Sequence, residues 1–180
     1  MTTNPYQPSE KSELPTAGSP SPGSPVWALV RSVLGMIAGV FVGAFVVALI
    51  EIPGWMLHPV PPEIDLSDAE ALKAHATKAP FAAQLCVAIA WVAGPLVGSF
   101  IAAAIARWGW FGHGMIVAGV FLAFVVLTVR TFPHPTWMTL VGVLGPLAAG
   151  WIGSAVAEWL LTAKGPNPKP YDMRQKNMAC

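Results

Sequence analysis

The sequence predicts an all-α membrane protein, a bundle of four transmembrane helices, and three observations support this fold class. Of the 180 residues, 54% are hydrophobic and only 11% are charged, whereas a soluble domain carries about 25% charged residues. Charge-free stretches of about 19 residues or more recur four times, at 32–50, 79–106, 108–129 and 131–157, and about 20 apolar residues in a helix cross a bilayer. The first stretch lacks the alternation of polar and apolar residues that a membrane β-barrel requires.

The composition also limits the classes of partner that the chain is expected to bind. High hydrophobicity with low charge excludes an intrinsically disordered protein, and a net charge of +1 argues against nucleic-acid binding. The lipid bilayer is therefore the expected surrounding, with a membrane-protein partner or a second copy of the chain as further candidates.

The charge-free stretches divide the chain into a membrane domain at 26–161 and two tails. Residues 1–25 are rich in Pro and Ser and predict a disordered cytoplasmic tail, and 162–180 form a second polar tail in the cytoplasm. An outer loop at 51–80 separates the first two spans, and the predicted spans are 27–50, 81–106, 112–131 and 138–161.

The distribution of Lys and Arg predicts the orientation of these spans. With four spans, both tails and the 107–111 turn lie on one side of the membrane, and that side holds seven of the ten basic residues. Basic residues accumulate on the cytoplasmic side of membrane proteins. Both termini are therefore predicted to be cytoplasmic.

The chain also contains an internal repeat. Residues 94–108 and 145–159 share seven of fifteen residues at an offset of 51, including a Gly-Pro-Leu start and a final Trp. The first and third spans match more loosely, around an offset of 79. We interpret both matches as a duplicated two-helix hairpin. Since the first and third spans run in the same direction, the repeat is parallel, and its pseudo-twofold axis lies along the membrane normal.

Four charged residues end the spans at repeat-related positions, and the signs within each pair are opposite. Glu51 corresponds to Arg130 on the outer side, and Arg107 corresponds to Glu158 on the inner side. Because pairing lowers the cost of a charge near hydrocarbon, we hypothesise a Glu51–Arg130 contact and an Arg107–Glu158 contact, with Arg31 as another partner for Glu158. The alternative is that each charged group extends to its own membrane interface.

Small residues four positions apart predict close helix packing in the first, second and fourth spans. Such residues share one helix face and let two backbones approach, and we expect them to pack the helices of one chain rather than to join copies. They are Gly35, Gly39, Gly43, Gly94, Gly98, Ala102, Ala149 and Gly153. Pro95 and Pro146 occupy equivalent places in the second and fourth spans, and each is expected to kink its helix.

The outer loop contains a predicted short helix and candidate metal ligands. Ser67 and Glu70 match a capping box, which predicts a helix from Ser67 as N-cap to about Thr77. Three histidines on the outer side are candidates for binding a divalent metal together with nearby carboxylates, and they are His58, His75 and His134. None of them has the spacing of a helical metal motif, so we favour a solvated acidic loop and expect no metal and no other cofactor.

No recognisable catalytic motif accompanies these spans. The sequence contains no Walker-type phosphate loop, no GxSxG nucleophile elbow and no metalloprotease helix. We therefore expect a non-enzymatic membrane component, either a scaffold or an accessory subunit of a membrane complex. The alternative is a small carrier or channel for a small cationic or apolar solute, which the duplicated hairpins and the acidic outer loop favour.

Four features together resemble a family of small, uncharacterised four-span proteins of the bacterial inner membrane. They are the glycine-rich first span, the acidic Pro-rich loop with residues 65–75, the small-residue span at 94–107, and the Pro-His-Pro-Thr-Trp turn at 133–137. The resemblance covers about residues 32–160 and excludes both tails. It implies the four-span fold and a location in the bacterial inner membrane, and it carries no catalytic residues.

Overall fold

Five helices make up the described part of the chain, which is residues 24–163 of the computed structural model. They are α1 (Pro25–Leu57), α2 (Ala69–Ala76), α3 (Phe81–Ala106), α4 (Trp110–Thr131) and α5 (Thr136–Thr162). The predicted all-α bundle of four long helices, with a short helix in the first loop, is confirmed. The two predicted tails lie outside the described residues, apart from residues 24–25 and 162–163.

The four long helices are each long and apolar enough to cross a membrane. Large apolar side chains cover the outside of the bundle, and Phe41, Phe124 and Trp151 are 72%, 60% and 59% exposed. A soluble protein rarely leaves apolar surface of this extent in contact with water. The chain is therefore a multi-pass membrane protein.

The central helix of the bundle is α3, which packs against α1, α4 and α5. In addition α4 packs against α5 and, less extensively, against α1. Within the described residues, α1 and α5 do not pack against each other. The interior is made mostly of Ala, Gly and Ser, and its largest fully buried side chains are Met138 and Val117. Small side chains let the backbones approach, which strengthens van der Waals packing where lipid supplies no hydrophobic driving force.

The first helix continues well past the predicted end of its span. The sequence predicts a loop from Glu51 onwards, but α1 runs through Pro53 to Leu57. Pro53 removes one backbone hydrogen bond without ending the helix, because the next residues are apolar and Gly54 packs against α3. Glu51 therefore lies inside α1, six residues before its last residue, which is about 9 Å along the helix axis.

The N-cap of α2 is Asp68, so the predicted cap at Ser67 is wrong. The Asp68 carboxylate accepts hydrogen bonds from the backbone N–H groups of Glu70 and Ala71, at 3.0 and 3.1 Å. The N–H of Ser67 donates instead to the carboxylate of Asp65, at 2.9 Å, and closes a turn in front of the helix. Asp68 thus accepts from the Glu70 N–H, which the capping box assigns to the Ser67 hydroxyl, and Asp65 accepts from the Ser67 N–H, which the capping box assigns to the Glu70 side chain.

The turn between α3 and α4 is only three residues long. Arg107 ends α3 in the left-handed conformation with φ of 59°, and its N–H donates to the Ala103 carbonyl. Gly109 has φ of 54°, a conformation that glycine adopts without a steric penalty. Two left-handed residues reverse the chain so tightly that α4 begins at Trp110, two residues before the predicted start.

The backbones of α1 and α3 are in direct contact. A Cβ atom on Gly98 would lie 2.6 Å from the Gly39 carbonyl oxygen, and a Cβ atom on Gly39 would overlap the Gly98 carbonyl oxygen. Neither position has room for a side chain. Six of the eight predicted packing residues line this interface, namely Gly35, Gly39, Gly43, Gly94, Gly98 and Ala102.

The other two predicted packing residues, Ala149 and Gly153, lie on the buried side of α5. A Cβ atom on Gly153 would overlap the carbonyl oxygen of Leu96 in α3, so these two backbones are also in contact. Pro95 and Pro146 are fully buried inside α3 and α5. The kink expected at each of them stays a prediction.

The register between α3 and α5 matches the offset of the sequence repeat. Gly142 packs against Trp91, and Gly150 packs against Ser99. Each pair is separated by 51 positions, so repeat-related residues are neighbours in space. An exact twofold axis would exchange α1 with α4 and α3 with α5, so the contact between α3 and α4 would be matched by a contact between α5 and α1. The described residues of α1 and α5 do not pack against each other. The duplication itself stays a prediction.

Candidate functional site

A cavity of about 280 Å³ lies at the end of the bundle that carries α2, and we call it the histidine cavity. The end of α1, the short α2, the start of α3 and the turn between α4 and α5 form its walls. Among residues 24–163, its lining combines apolar and aromatic side chains with three histidines and one glutamine, and it contains no Asp, Glu, Lys or Arg. The lining residues are Gly54, Trp55, His58, Val60, Leu72, His75, Ala76, Ala79, Ala83, Gln84, Val87, Phe132, Pro133, His134, Pro135 and Met138.

His58 and His75 form a stacked pair in the wall of the histidine cavity. Their ring centroids are 4.0 Å apart, and the rings are nearly parallel, at 6°. His58 Nε2 donates a hydrogen bond of 3.0 Å to the backbone carbonyl of His75, since a carbonyl oxygen only accepts. His75 Nε2 is buried and has no hydrogen-bond partner among the described residues. The pair joins the C-terminal ends of α1 and α2.

His134 lines the same cavity from the turn between α4 and α5. Its Nδ1 donates to the Phe132 carbonyl at 2.8 Å, which holds the ring against its own turn. The ring lies 5.4 Å from the ring of Trp91. Trp91 packs in the core with Met138 and Val125, so this contact attaches the turn to the interior of the bundle.

The three candidate metal ligands line one cavity, but they do not converge on one point. Within residues 24–163, no three His, Cys, Asp or Glu side chains lie close enough together to hold a metal ion. The parallel stack of His58 and His75 supplies a physical reason, because a shared metal requires both ring lone pairs to point at it. The Asp65 and Asp68 carboxylates of the same loop accept backbone N–H groups and do not line the histidine cavity.

A second opening of about 280 Å³ lies on the side of the bundle between α1 and α4, and we call it the Glu51 groove. Its described wall is apolar and aromatic, and its polar side-chain groups are the Glu51 carboxylate, the Thr128 hydroxyl and the indole N–H of Trp91. Glu51 is half-buried. The Thr128 hydroxyl donates to the Phe124 carbonyl of its own helix. The lining residues are Ala44, Val47, Glu51, Trp91, Phe121, Phe124, Val125 and Thr128.

The hypothesised contact between Glu51 and Arg130 is not formed. In the described part of the chain, the only ion pair within 4.0 Å joins Lys73 to Glu70. Thr128 lines the Glu51 groove, and Arg130 follows it by two residues and is exposed. Because one helical turn takes 3.6 residues, two positions rotate a side chain by about 200°. Arg130 therefore lies on the other face of α4.

The hypothesised contact between Arg107 and Glu158 is also not formed. Both side chains are exposed, and Arg107 lies in the turn beyond the end of α3. Arg31 does not pair with Glu158 either, since its Nη2 donates to the Ile105 carbonyl at 2.7 Å. The last four carbonyls of a helix lack partners within that helix. The guanidinium of α1 therefore caps α3.

A buried polar contact at the centre of the bundle was missed from the sequence. Ser99 of α3 and Ser154 of α5 are fully buried. The Ser99 hydroxyl donates to the Gly114 carbonyl of α4 at 2.8 Å, whereas the Ser154 hydroxyl donates within its own helix, to Gly150. The available signal was their position among the small residues of α3 and α5. A pattern within one helix does not reveal which neighbouring carbonyl a serine reaches.

No family model matches the chain, and neither a curated protein nor a solved structure matches it. Its function therefore has to be inferred from its own residues.

Proposed function

We propose that the protein is a non-enzymatic scaffold or accessory subunit of a membrane complex in the bacterial inner membrane. The observation that carries this proposal is the backbone contact at the centre of the bundle. Gly39 meets Gly98 between α1 and α3, and Gly153 meets Leu96 between α3 and α5. Helices packed this closely leave no space for a solute between α1 and α3 or between α3 and α5. These contacts favour a rigid structural protein over a channel that runs along either interface.

The surface we propose for the partner is the lipid-facing side of α1. In the apolar 18-residue stretch of α1, only 17% of the residues are buried, whereas the corresponding stretches of α3, α4 and α5 are 44%, 33% and 39% buried. Phe41 and Phe45, four residues apart, are 72% and 63% exposed on one face. A helix held mainly by α3 leaves room for a transmembrane helix of another protein on its free side.

Photocrosslinking in native membranes tests this proposal. A photoreactive phenylalanine analogue at Phe41 is expected to capture one defined membrane protein. The matched control carries the same analogue at Leu127 of α4, which is 60% exposed, and is expected to capture lipid only. A chain that yields no reproducible protein adduct from any exposed position on α1 contradicts the proposal.

The proposed orientation places both termini in the cytoplasm and the α2 end outside. In a background without native cysteines, Thr77→Cys next to α2 is expected to react with a membrane-impermeant maleimide in intact cells. Trp108→Cys, exposed in the turn at the opposite end, is expected to react only after the membrane is opened. The reverse labelling pattern contradicts this orientation.

A second candidate function is a carrier for a small cationic or apolar solute. The histidine cavity favours it, because an apolar pocket with a few polar groups is a typical small-molecule site. Purified protein in liposomes is then expected to release preloaded amines or ions faster than empty liposomes do. Rates equal to those of empty liposomes for every solute contradict a carrier and leave the scaffold proposal standing.

A further inference from the structure

We propose that the Glu51 groove binds a small amphipathic organic cation, with one positively charged head and one apolar ring. This inference goes beyond the scaffold function and does not depend on it. It rests on the charge, the size and the aromatic lining of the groove.

The charge of the groove comes from one carboxylate. Glu51 makes no ion pair and no hydrogen bond with another described residue, and no Lys, Arg or His from the described part of the chain lines the groove. Thr128 lines the groove, and Arg130 follows it by two residues, which corresponds to a rotation of about 200° around α4. Arg130 therefore lies on the face of α4 that points away from the groove. An ionisable side chain within a membrane helix usually has a partner, because hydrocarbon solvates it poorly. A cationic ligand supplies the partner that the protein itself does not provide.

The aromatic lining selects an organic cation over a hydrated inorganic one. Trp91 and Phe121 are almost fully buried and belong to the groove wall, and Phe124 stands at its exposed rim. Aromatic rings attract cations through their π electrons, and the attraction is stronger where the site is shielded from water. Apart from Glu51, the only described side chain in the wall that carries an oxygen atom is Thr128, whose hydroxyl already donates to the Phe124 carbonyl. The wall therefore lacks the several oxygen ligands that a metal cation requires.

The size and position of the groove limit the ligand further. Its volume of about 280 Å³ is roughly twice that of an apolar cavity that holds one benzene molecule. One ring and a methylated ammonium head occupy such a volume. The groove opens sideways between α1 and α4, beside side chains that face lipid, so a ligand that partitions into the bilayer reaches it without crossing the bundle. An amphipathic cation has this property, whereas a strongly hydrated ion does not.

Equilibrium dialysis on protein in lipid nanodiscs tests the proposal with two isosteric probes. Benzyltrimethylammonium carries the charge, and neopentylbenzene has the same shape without it. Saturable uptake of the cation with a stoichiometry of one per chain is expected, while the neutral probe shows no uptake above protein-free nanodiscs. Glu51→Gln is expected to weaken binding of the cation at least about tenfold. The matched control, Glu158→Gln, removes an exposed glutamate of α5 and is expected to bind like the wild type.

A second variant keeps the test decisive if Glu51→Gln disturbs folding. Phe124 is 60% exposed, so Phe124→Leu leaves the core intact, and loss of one cation–π contact is expected to weaken binding about two- to fivefold. Three results overturn the proposal: no saturable uptake of the cation, equal uptake of both probes, or wild-type affinity in a folded Glu51→Gln protein. Wild-type affinity in Phe124→Leu overturns the aromatic part of the site.

Discussion

The hydroxyl of Ser99 in α3 donates a hydrogen bond of 2.8 Å to the carbonyl oxygen of Gly114 in α4. Ser99 is fully buried, and no side chain on Gly114 would fit beside the neighbouring Ser154 hydroxyl. This contact joins two neighbouring helices through one side chain and one backbone group. It lies where α3, α4 and α5 meet, so its removal reports on the packing of these three helices.

Ser99→Ala is expected to lower the stability of the protein in detergent by about 0.5–1.5 kcal/mol, because one interhelical hydrogen bond is lost. Ser154→Ala serves as the control, since that hydroxyl is bonded within its own helix, to Gly150, and its removal is expected to have a smaller effect. Thermal unfolding followed by circular dichroism compares the two. A larger loss in Ser154→Ala than in Ser99→Ala contradicts the assignment.

Gly39→Ala is expected to destabilise the protein by about 1–3 kcal/mol, because the new methyl group overlaps the Gly98 carbonyl and forces α1 away from α3. Gly119→Ala is the matched control on α4, where nothing lies within 4 Å of the added Cβ. The control is expected to be neutral, or to gain up to about 1 kcal/mol from helix propensity. Equal stability of the two variants in the same unfolding assay shows that the close approach is absent.

The charge-reversed double variant Glu51→Arg with Arg130→Glu is expected to show no mutual rescue. The two side chains lie on surfaces that do not face each other, so their individual effects on stability add within about 0.5 kcal/mol. A double-mutant cycle of unfolding free energies measures the coupling. A coupling of 1 kcal/mol or more in favour of the swapped pair establishes the contact that the structure lacks.

Asp68→Ala is expected to destabilise α2 by about 1 kcal/mol, because the backbone N–H groups of Glu70 and Ala71 lose their acceptor. Hydrogen–deuterium exchange of the 69–76 amides measures this loss, with faster exchange expected in the variant. Ser67→Ala is the control, since the Ser67 side chain does not cap α2. Faster exchange in Ser67→Ala than in Asp68→Ala restores the capping box that the sequence predicts.

The carboxyl of Asp65 is expected to titrate below its ordinary range. Its pKa is lowered first by the hydrogen bond from the Ser67 backbone N–H and then by the Ser67 side chain. Since the folded pKa is depressed, the turn is fully stabilised above the unfolded pKa, about 3.9. That stabilisation is lost as the pH falls through the folded pKa.

An NMR titration of the Asp65 side-chain carboxyl checks this expectation. Ser67→Ala keeps the backbone donor and is expected to retain most of the depression of the pKa. Ser67→Pro removes the backbone donor and is expected to return the pKa to its ordinary value. An unshifted Asp65 pKa in the wild type contradicts the turn geometry.

The helices of this protein were predictable because one physical requirement dominates them. A chain in hydrocarbon has to satisfy its backbone hydrogen bonds internally, so long apolar segments form helices wherever they occur. The end of α1 was misplaced because Glu51 and Pro53 look like a boundary in the sequence. The helix passes both residues, since Gly54 still packs against α3.

The candidate sites were predictable only as sets of residues. The chemistry of the side chains indicates His58, His75 and His134 as candidates, and the three do line one cavity, but the stacking of two of the rings depends on where α2 lies. The sequence indicates Glu51 as one half of a charge pair. The rotation of α4 turns Arg130 away and leaves Glu51 beside Trp91, Phe121 and Thr128.

The sequence by itself determined that this chain is a helical membrane protein, how many long helices it has, and which residues are small enough to let helices touch. These properties depend on the local composition of each segment and on the solvent that surrounds it. The tertiary structure alone decided which helix lies at the centre, which carbonyl Ser99 and Arg31 reach, and which groove receives Glu51. Those relationships depend on the rotation of each helix about its own axis, and that rotation is set by packing against the neighbouring helices rather than by the pattern within any one of them.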